Sequence, residues 1–168
     1  MKTLLIDGDW LAFKSAIKCE EVIEWDPDQF SLNSDAAEAF RGFASDIQLM
    51  KNKFMSDQTL ENGDPLAGSK SDVIVCLSSE DSHYFRHDIY PAYKGNRKGV
   101  RKPLCYKRLL EKIKDTFRFQ IWDNLEADDL MGIAATSDEY PTPIIVTVDK
   151  DLDTVPGIHF NPMKSRLY

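Results

Sequence analysis

Apolar residues along the chain follow two alternating patterns. Short unbroken apolar runs separate longer stretches in which apolar side chains recur every three or four positions. The runs predict buried strands over Lys2–Ile6, Val73–Leu77, Phe119–Trp122 and Ile144–Val148, with a short fifth strand over Ile158–Phe160. The helical spacing is clearest in Asp35–Met55, where Phe40, Phe43, Ile47, Met50 and Phe54 recur on one face and Asn33, Ser34 or Asp35 can cap the start. Further helices are predicted over Asp9–Lys18, Leu104–Lys114 and Ala127–Ala135, and Leu152–Val155 suits one helical turn.

Between these elements the pattern breaks. Glu20–Leu32 carries mixed signals around a turn at Asp26-Pro27-Asp28. Gln58–Ser71, with Asn62-Gly63-Asp64-Pro65, is expected to be a loop, and Ser78–Asp88 to be polar and irregular. Tyr90–Lys102 contains Pro91, Gly95 and Gly99 and is expected to be mobile, or ordered only on binding. Apolar strands alternating with helices predict an α/β fold: a mainly parallel sheet covered on both faces, three layers in all. At 168 residues the expectation is a single domain.

Composition removes several function classes. No stretch approaches the roughly 18 apolar residues needed to cross a bilayer. Asp7 follows only three apolar residues, too few for the apolar region of a signal peptide, so a cytosolic address is expected. Cys19, Cys76 and Cys105 are widely spaced and odd in number, and His83, His87 and His159 show no ligand spacing. A disulfide framework or a zinc site is therefore not expected.

The net charge of −7 argues against a nucleic-acid partner until its distribution is read. From Arg86 to Arg118 there are eleven Lys or Arg against three Asp or Glu, which leaves the rest of the chain strongly acidic. Segregated charge of this kind suggests a basic surface beside an acidic one, although a solvated helix face is the plainer account of any charge run. Tyr90, Tyr93 and Tyr106 are interleaved with Lys94, Arg97, Lys98, Arg101 and Lys102. Rings of this kind can stack on unpaired bases while the cations hold phosphates.

The acids fall where such a sheet places ligands, beyond the carboxyl ends of its strands. Asp7 and Asp9 follow the first strand, Glu80 and Asp81 the second, Glu126, Asp128 and Asp129 the third, and Asp149, Asp151 and Asp153 the fourth. Each acid alone is equally well a helix cap. Together they repel one another unless a cation intervenes, and oxygen-only donors suit Mg²⁺ or Mn²⁺.

At this point four motifs, in order, resemble those of flap-endonuclease-type 5′-nucleases. They are Leu4-Leu5-Ile6-Asp7-Gly8-Asp9-Trp10-Leu11-Ala12-Phe13, then Phe85-Arg86 with Tyr93-Lys94-Gly95-Asn96-Arg97-Lys98, then Glu126-Ala127-Asp128-Asp129, and Thr147-Val148-Asp149-Lys150-Asp151-Leu152. Asp7–Leu11, Tyr93–Pro103 and Asp128–Gly132 are similar to stretches in the 5′→3′ exonucleases of short-tailed bacteriophages.

The resemblance implies a PIN-like domain with two Mg²⁺ ions, for which Mn²⁺ can substitute. Asp7, Asp81, Glu126 and Asp128 would serve the first ion, with Asp129 nearby and Glu80 as a competitor to Asp81. Asp149 and Asp151 would serve the second ion, and Asp9 would be a turn or cap residue. The basic arch, about 83–118, would use Arg86, Tyr93, Lys94, Arg97, Lys98, Arg101 and Lys102 to hold a 5′ end or flap of DNA, or of an RNA–DNA hybrid. Lys94 and Arg97 would meet the scissile phosphate. A phage origin would place the protein in the bacterial host cytoplasm.

The family's helical hairpin for duplex phosphates has no match after Asp153, so a second polypeptide supplying that region is a possible partner. A non-catalytic nucleic-acid-binding module is the competing expectation, and a small PIN-type ribonuclease a further one.

Overall fold

The structure, a computed structural model, describes every residue except Ser82 and Lys98, and the backbone but not the side chain of Arg97. The chain runs β1 (Lys2–Asp7), α1 (Gly8–Lys18), β2 (Glu20–Asp26), β3 (Gln29–Ser34), α2 (Ala36–Lys53), β4 (Gln58–Thr59), β5 (Pro65–Leu66), β6 (Ser71–Cys76) and α3 (Phe85–Ile89). It continues through α4 (Tyr106–Thr116), β7 (Phe119–Gln120), α5 (Ala127–Thr136), β8 (Pro143–Val146), β9 (Ile158–Asn161) and β10 (Arg166–Leu167). Among the described residues, 3₁₀ turns lie at Gly95–Arg97 and Lys150–Thr154.

Six strands form the main sheet in the order β10-β9-β8-β1-β6-β7. All its pairs are parallel except β10 with β9. Strand residues alternate between the two faces. Leu4, Ile6, Val73, Val75, Ile144 and Val146 enter the core under α1, α2 and α4. Leu5, Ile74, Cys76 and Ile145 enter a second core with Leu130 and Met131 of α5. Because β1, β6 and β8 are buried on both faces they read as unbroken apolar runs.

Helix α2 buries Ala39, Phe43, Ile47 and Met50, one stripe at helical spacing. Its start is held by Asp35, whose Oδ1 accepts from the Ala37 N–H at 2.7 Å. Lys2 opens β1 fully buried, its Nζ donating to the carbonyls of Phe54, Ser56 and Gly68 at 3.3, 2.6 and 2.8 Å.

Several expectations need correction. Glu20–Leu32 resolves into the β2–β3 hairpin, turning where Asp26-Pro27-Asp28 was read. The expected loop 58–71 contains the two-residue β4–β5 pair, and the expected irregular stretch 78–88 contains the start of α3. The helix expected from Leu104 begins at Tyr106. The sheet gains β10, which is too short for a periodic signal. In the basic segment, expected to be mobile or ordered only on binding, Tyr93 and Lys94 bond Glu126 and Arg101 bonds Glu20. No helix among the described residues is long and apolar enough to cross a membrane.

Candidate functional site

Strand β1 ends at Asp7, and Gly8 turns the chain directly into α1. A Cβ on Gly8 would stand 2.5 Å from Val75 Cγ1 and 2.6 Å from the Cys76 carbonyl, so only glycine lets this turn press against β6. Asp7 performs two local tasks. Its Oδ1 caps α1 by accepting from the Trp10 N–H at 3.0 Å, and its Oδ2 accepts from the Thr147 hydroxyl beyond β8 at 2.9 Å. The same Thr147 oxygen accepts from the Asp149 N–H at 3.1 Å, tying two strand ends together.

Asp7, Asp9, Glu126, Asp128 and Asp149 open onto one cavity of about 170 Å³, together with Trp10, Ser78 and Lys94. Ser78, just past β6, donates its N–H to the Asp9 oxygens at 3.3 and 3.4 Å. Its hydroxyl oxygen accepts from the Ala127 N–H at 3.0 Å, fixing the start of α5. The acids thus come from three strand ends rather than the expected four, because the loop after β6 contributes Ser78 in place of an acid.

Electrostatics records the crowding. Burial, reinforced by Asp9 and Asp149, pushes the Asp7 carboxyl up to about 6 against hydrogen bonds from Trp10 and Thr147. Burial, together with Asp7, Asp149 and Glu126, pushes Asp128 up to about 7, with Lys94 opposing. Asp9 is also raised, chiefly by burial. Among the described residues no three His, Cys, Asp or Glu side chains already form a coordination cluster.

Glu126 is already engaged by cationic and hydroxyl donors. Lys94 donates to its Oε1, while the Tyr93 hydroxyl at 2.7 Å and Arg86 Nη1 at 3.2 Å donate to Oε2. Lys94 holds a left-handed backbone conformation, φ 51°, which is uncommon for a residue with a side chain. Arg86 also grips Asp129 through two 2.7 Å bonds, and Asp129 accepts from the Glu126 N–H at 3.0 Å. Although Asp129 is partly buried, Arg86 holds its carboxyl below the ordinary carboxylate value.

The structure therefore brings Asp7, Glu126, Asp128 and Asp149 together and sets other predicted site residues apart. Asp81 is exposed and faces its own loop, accepting from the Ser79 hydroxyl at 2.7 Å and the His83 N–H at 3.0 Å. Its competitor Glu80 is also exposed and pairs with Lys114. Asp151 is exposed and does not line the cavity; its N–H donates to Asp149 Oδ1 at 3.0 Å. Asp129 serves Arg86 and the α5 cap instead of the cavity. Arg101 is bound by Glu20. Lys102 Nζ lies 5.1 Å over the Tyr106 ring, and Lys102 shares a neighbouring cavity of about 80 Å³ with Asp9. Lys98 and the Arg97 side chain lie outside the described residues. Asp9, expected to be only a turn or cap residue, is a cavity acid. Its signal was its place two residues after Asp7 at a strand end.

The model of the 5'-3' exonuclease N-terminal, resolvase-like domain matches residues 2–157. The exonuclease of Escherichia phage T7 is 29% identical over 163 residues, covering 94% of this chain and 50% of that protein. The exodeoxyribonuclease of Enterobacteria phage T3 is 28% identical with the same coverage. The chain thus spans about half the length of these relatives.

Solved structures share the fold over the whole chain. The phage T5 5'-exonuclease with bound divalent zinc superposes with a TM-score of 0.61 at 19% identity, covering 58% of that protein. The bacteriophage T5 flap endonuclease, in a pseudo-enzyme-product complex with DNA and metal ions, gives 0.62 at 18%, covering 57% of that protein. The match to residues 2–157 decides the family: this chain belongs to the 5'-3' exonuclease N-terminal, resolvase-like domain family.

Proposed function

We propose that this chain carries the hydrolytic centre of a divalent-metal-dependent 5′ nuclease acting on DNA with a free 5′ end or flap. One observation carries the reading: five carboxylates from three strand ends open onto a single cavity beside Lys94. The donor set is all oxygen, and burial and mutual repulsion raise Asp7 and Asp128, so the cavity suits a hard cation such as Mg²⁺ or Mn²⁺. The metal-bound phage T5 relatives support the same reading.

Asp7, Asp9, Asp128 and Asp149 would hold the ions, with Glu126 joining once released from Lys94 and Asp151 adding a carboxylate beyond Asp149. Two such ions, when bound, would supply Lewis-acid polarisation of the phosphodiester and activation of the attacking water. The chain's own part is positioning. Thr147 fixes Asp7 relative to Asp149, and Ser78 fixes Asp9 relative to α5. Lys94 and Arg97 would meet the phosphate, and Tyr93 would stack at the 5′ end. Arg86 holds the acidic start of α5 in place through Asp129.

Incubation with a 5′-labelled DNA flap and Mg²⁺ tests this. Release of the labelled 5′ product, abolished in Asp128→Asn and Asp149→Asn, is expected. An RNA–DNA hybrid run in parallel reports the sugar preference. No cleavage in either Mg²⁺ or Mn²⁺ contradicts the proposal.

A second reading, a non-catalytic nucleic-acid-binding module, draws on one observation: both Glu126 oxygens are taken by Lys94, Tyr93 and Arg86. It predicts salt-sensitive DNA binding that persists in Asp128→Ala with Asp149→Ala, and no turnover in any variant.

A further inference from the structure

The β2–β3 hairpin carries Glu20, Glu21, Glu24, Asp26 and Asp28 and no cationic side chain from Glu20 to Ser34. An acidic ribbon has no direct use for a phosphate backbone, yet its root touches the basic segment. Glu20, the first residue of β2, reaches a segment eighty-one positions further along the chain. Its Oε1 accepts from Arg101 Nη2 at 2.5 Å, and its Oε2 accepts from Arg101 Nη1 at 2.8 Å and from the Leu104 N–H at 2.9 Å.

Three donors on one carboxylate, two of them a guanidinium fork, make a specific joint that a lysine in place of Arg101 could not reproduce. An ordinary exposed ion pair holds little. Here the Glu20 side chain is only 9% exposed, although that of Arg101 is 53% exposed. The fork and the Leu104 N–H hold the Glu20 carboxyl down to about 2.

The consequence falls on Lys102. Arg101 Nη1 also donates to the Lys102 carbonyl at 3.2 Å, so the joint takes in the Arg101 side chain just before Lys102 and the backbone just after it, at the Lys102 carbonyl and the Leu104 N–H. Lys102 lines the small cavity with Asp9, whose charge it stabilises, and Asp9 lines the acid cavity as well. At its other end the basic segment is held by Tyr93 and Lys94 on Glu126. The two ends differ in kind: one holds a cavity acid directly, while the other holds an acid with no place in the cavity.

We propose that Glu20 is a positioning residue for substrate: by clamping Arg101 and the Leu104 backbone it fixes Lys102 beside Asp9, where Lys102 receives a phosphate of the DNA strand entering the cavity. This rests on the nuclease reading above. Arg101 is thereby a strut, and Lys102 is the cation presented to DNA.

The test uses Glu20→Ala and the isosteric Glu20→Gln, with the charge exchange Glu20→Arg plus Arg101→Glu. The measurements are amide hydrogen exchange at Leu104, Tm, affinity for a fluorescent 5′-flap DNA without metal, and KM and kcat with Mg²⁺. In Glu20→Ala Leu104 exchange should rise, and in both single variants DNA affinity should weaken and KM should rise by about tenfold, while kcat and Tm stay near wild type. The charge exchange should recover part of the affinity. A role confined to folding would lower Tm and leave KM alone.

Unchanged Leu104 exchange in Glu20→Ala overturns the clamp. Raised exchange with unchanged affinity and KM overturns the positioning of Lys102. Should Glu20→Ala fail to fold, Glu20→Gln keeps the side-chain shape and one acceptor for the Leu104 N–H but breaks the charged fork to Arg101, so unchanged affinity and KM in that variant overturn the proposal. A wild-type protein that turns nothing over fails the nuclease reading alone, since the affinity measurement still decides the role of Glu20.

Discussion

The Tyr93 hydroxyl donates to Glu126 Oε2 at 2.7 Å, at the acidic end of the sheet. Arg86 shares that oxygen, and Lys94 takes the other. The basic segment thereby neutralises a carboxylate that the cavity would otherwise offer to a cation.

Removing the Lys94 charge should expose this competition. Lys94→Met frees Glu126 Oε1 and removes a like charge from the cavity, so Mn²⁺ should bind about three- to tenfold more tightly by calorimetry. Cleavage of a 5′ flap should slow in the same variant, because the phosphate loses a cation. Unchanged Mn²⁺ affinity would show that Lys94 does not compete for the site.

The raised acids make a pH prediction with a definite sign. Asp7 titrates at about 6 and Asp128 at about 7 in the fold, against about 3.9 in an unfolded chain. The folded state therefore binds protons more readily, and these groups cost stability as pH rises from about 4 through 7. Metal-free protein should melt lower at about pH 8 than at about pH 5.5. Glu20, already ionised at both values, contributes equally to each. Saturating Mn²⁺ should reverse the order, because its ligands must lose their protons. A metal-free Tm that does not fall over that interval contradicts the burial assigned to these carboxylates.

Gly8→Ala tests the turn between the first two acids. The added methyl would meet Val75, the Cys76 carbonyl and Leu77, all within 2.7 Å, in a packed core with no room to yield. Urea unfolding should show a loss of about 1–3 kcal/mol or more. A neutral result would mean that α1 does not press on β6 as described.

Thr147→Val keeps the shape of a side chain and deletes its hydroxyl. Asp7 Oδ2 loses a donor and the Asp149 N–H an acceptor, both close to the core. A loss of about 1–3 kcal/mol is expected in denaturation. The acidic limb of the cleavage pH profile should move upward, since the hydroxyl lowers the Asp7 pKa. An unmoved limb would remove Asp7 from the groups that must be ionised.

Much of this architecture is legible in the chain because parallel strands buried on both faces leave an unmistakable pattern. Leu4-Leu5-Ile6 and Ile144-Ile145-Val146 have no polar face to confuse with a helix, and Phe43, Ile47 and Met50 have only one apolar face. The shared cavity of Asp7, Glu126, Asp128 and Asp149 follows from the same rule, since acids just past parallel strands meet at one edge.

What stays hidden depends on side-chain partners distant in sequence or on loop direction. Asp81 sits after a strand as the others do, but Ser79 and His83 turn it into its own loop. The family resemblance makes Asp9 a turn or cap residue, while its place two residues past Asp7 groups it with the strand-end acids; the Ser78 N–H that holds it at the cavity is sixty-nine residues away and leaves no local signal. The basic segment looked unanchored because its anchors, Glu126 and Glu20, lie on opposite sides of it in the sequence.

The central claim is that carboxylates from three strand ends bind divalent cations in one shared cavity. Anomalous scattering from crystals of the protein soaked in Mn²⁺ tests it most directly. The account predicts one or two peaks in the cavity, within coordination distance of Asp7, Asp128 and Asp149, with the Lys94 ammonium moved off Glu126. Mn²⁺ bound only elsewhere, or a cavity that stays without a peak at saturating Mn²⁺ while Lys94 remains on Glu126, would contradict it.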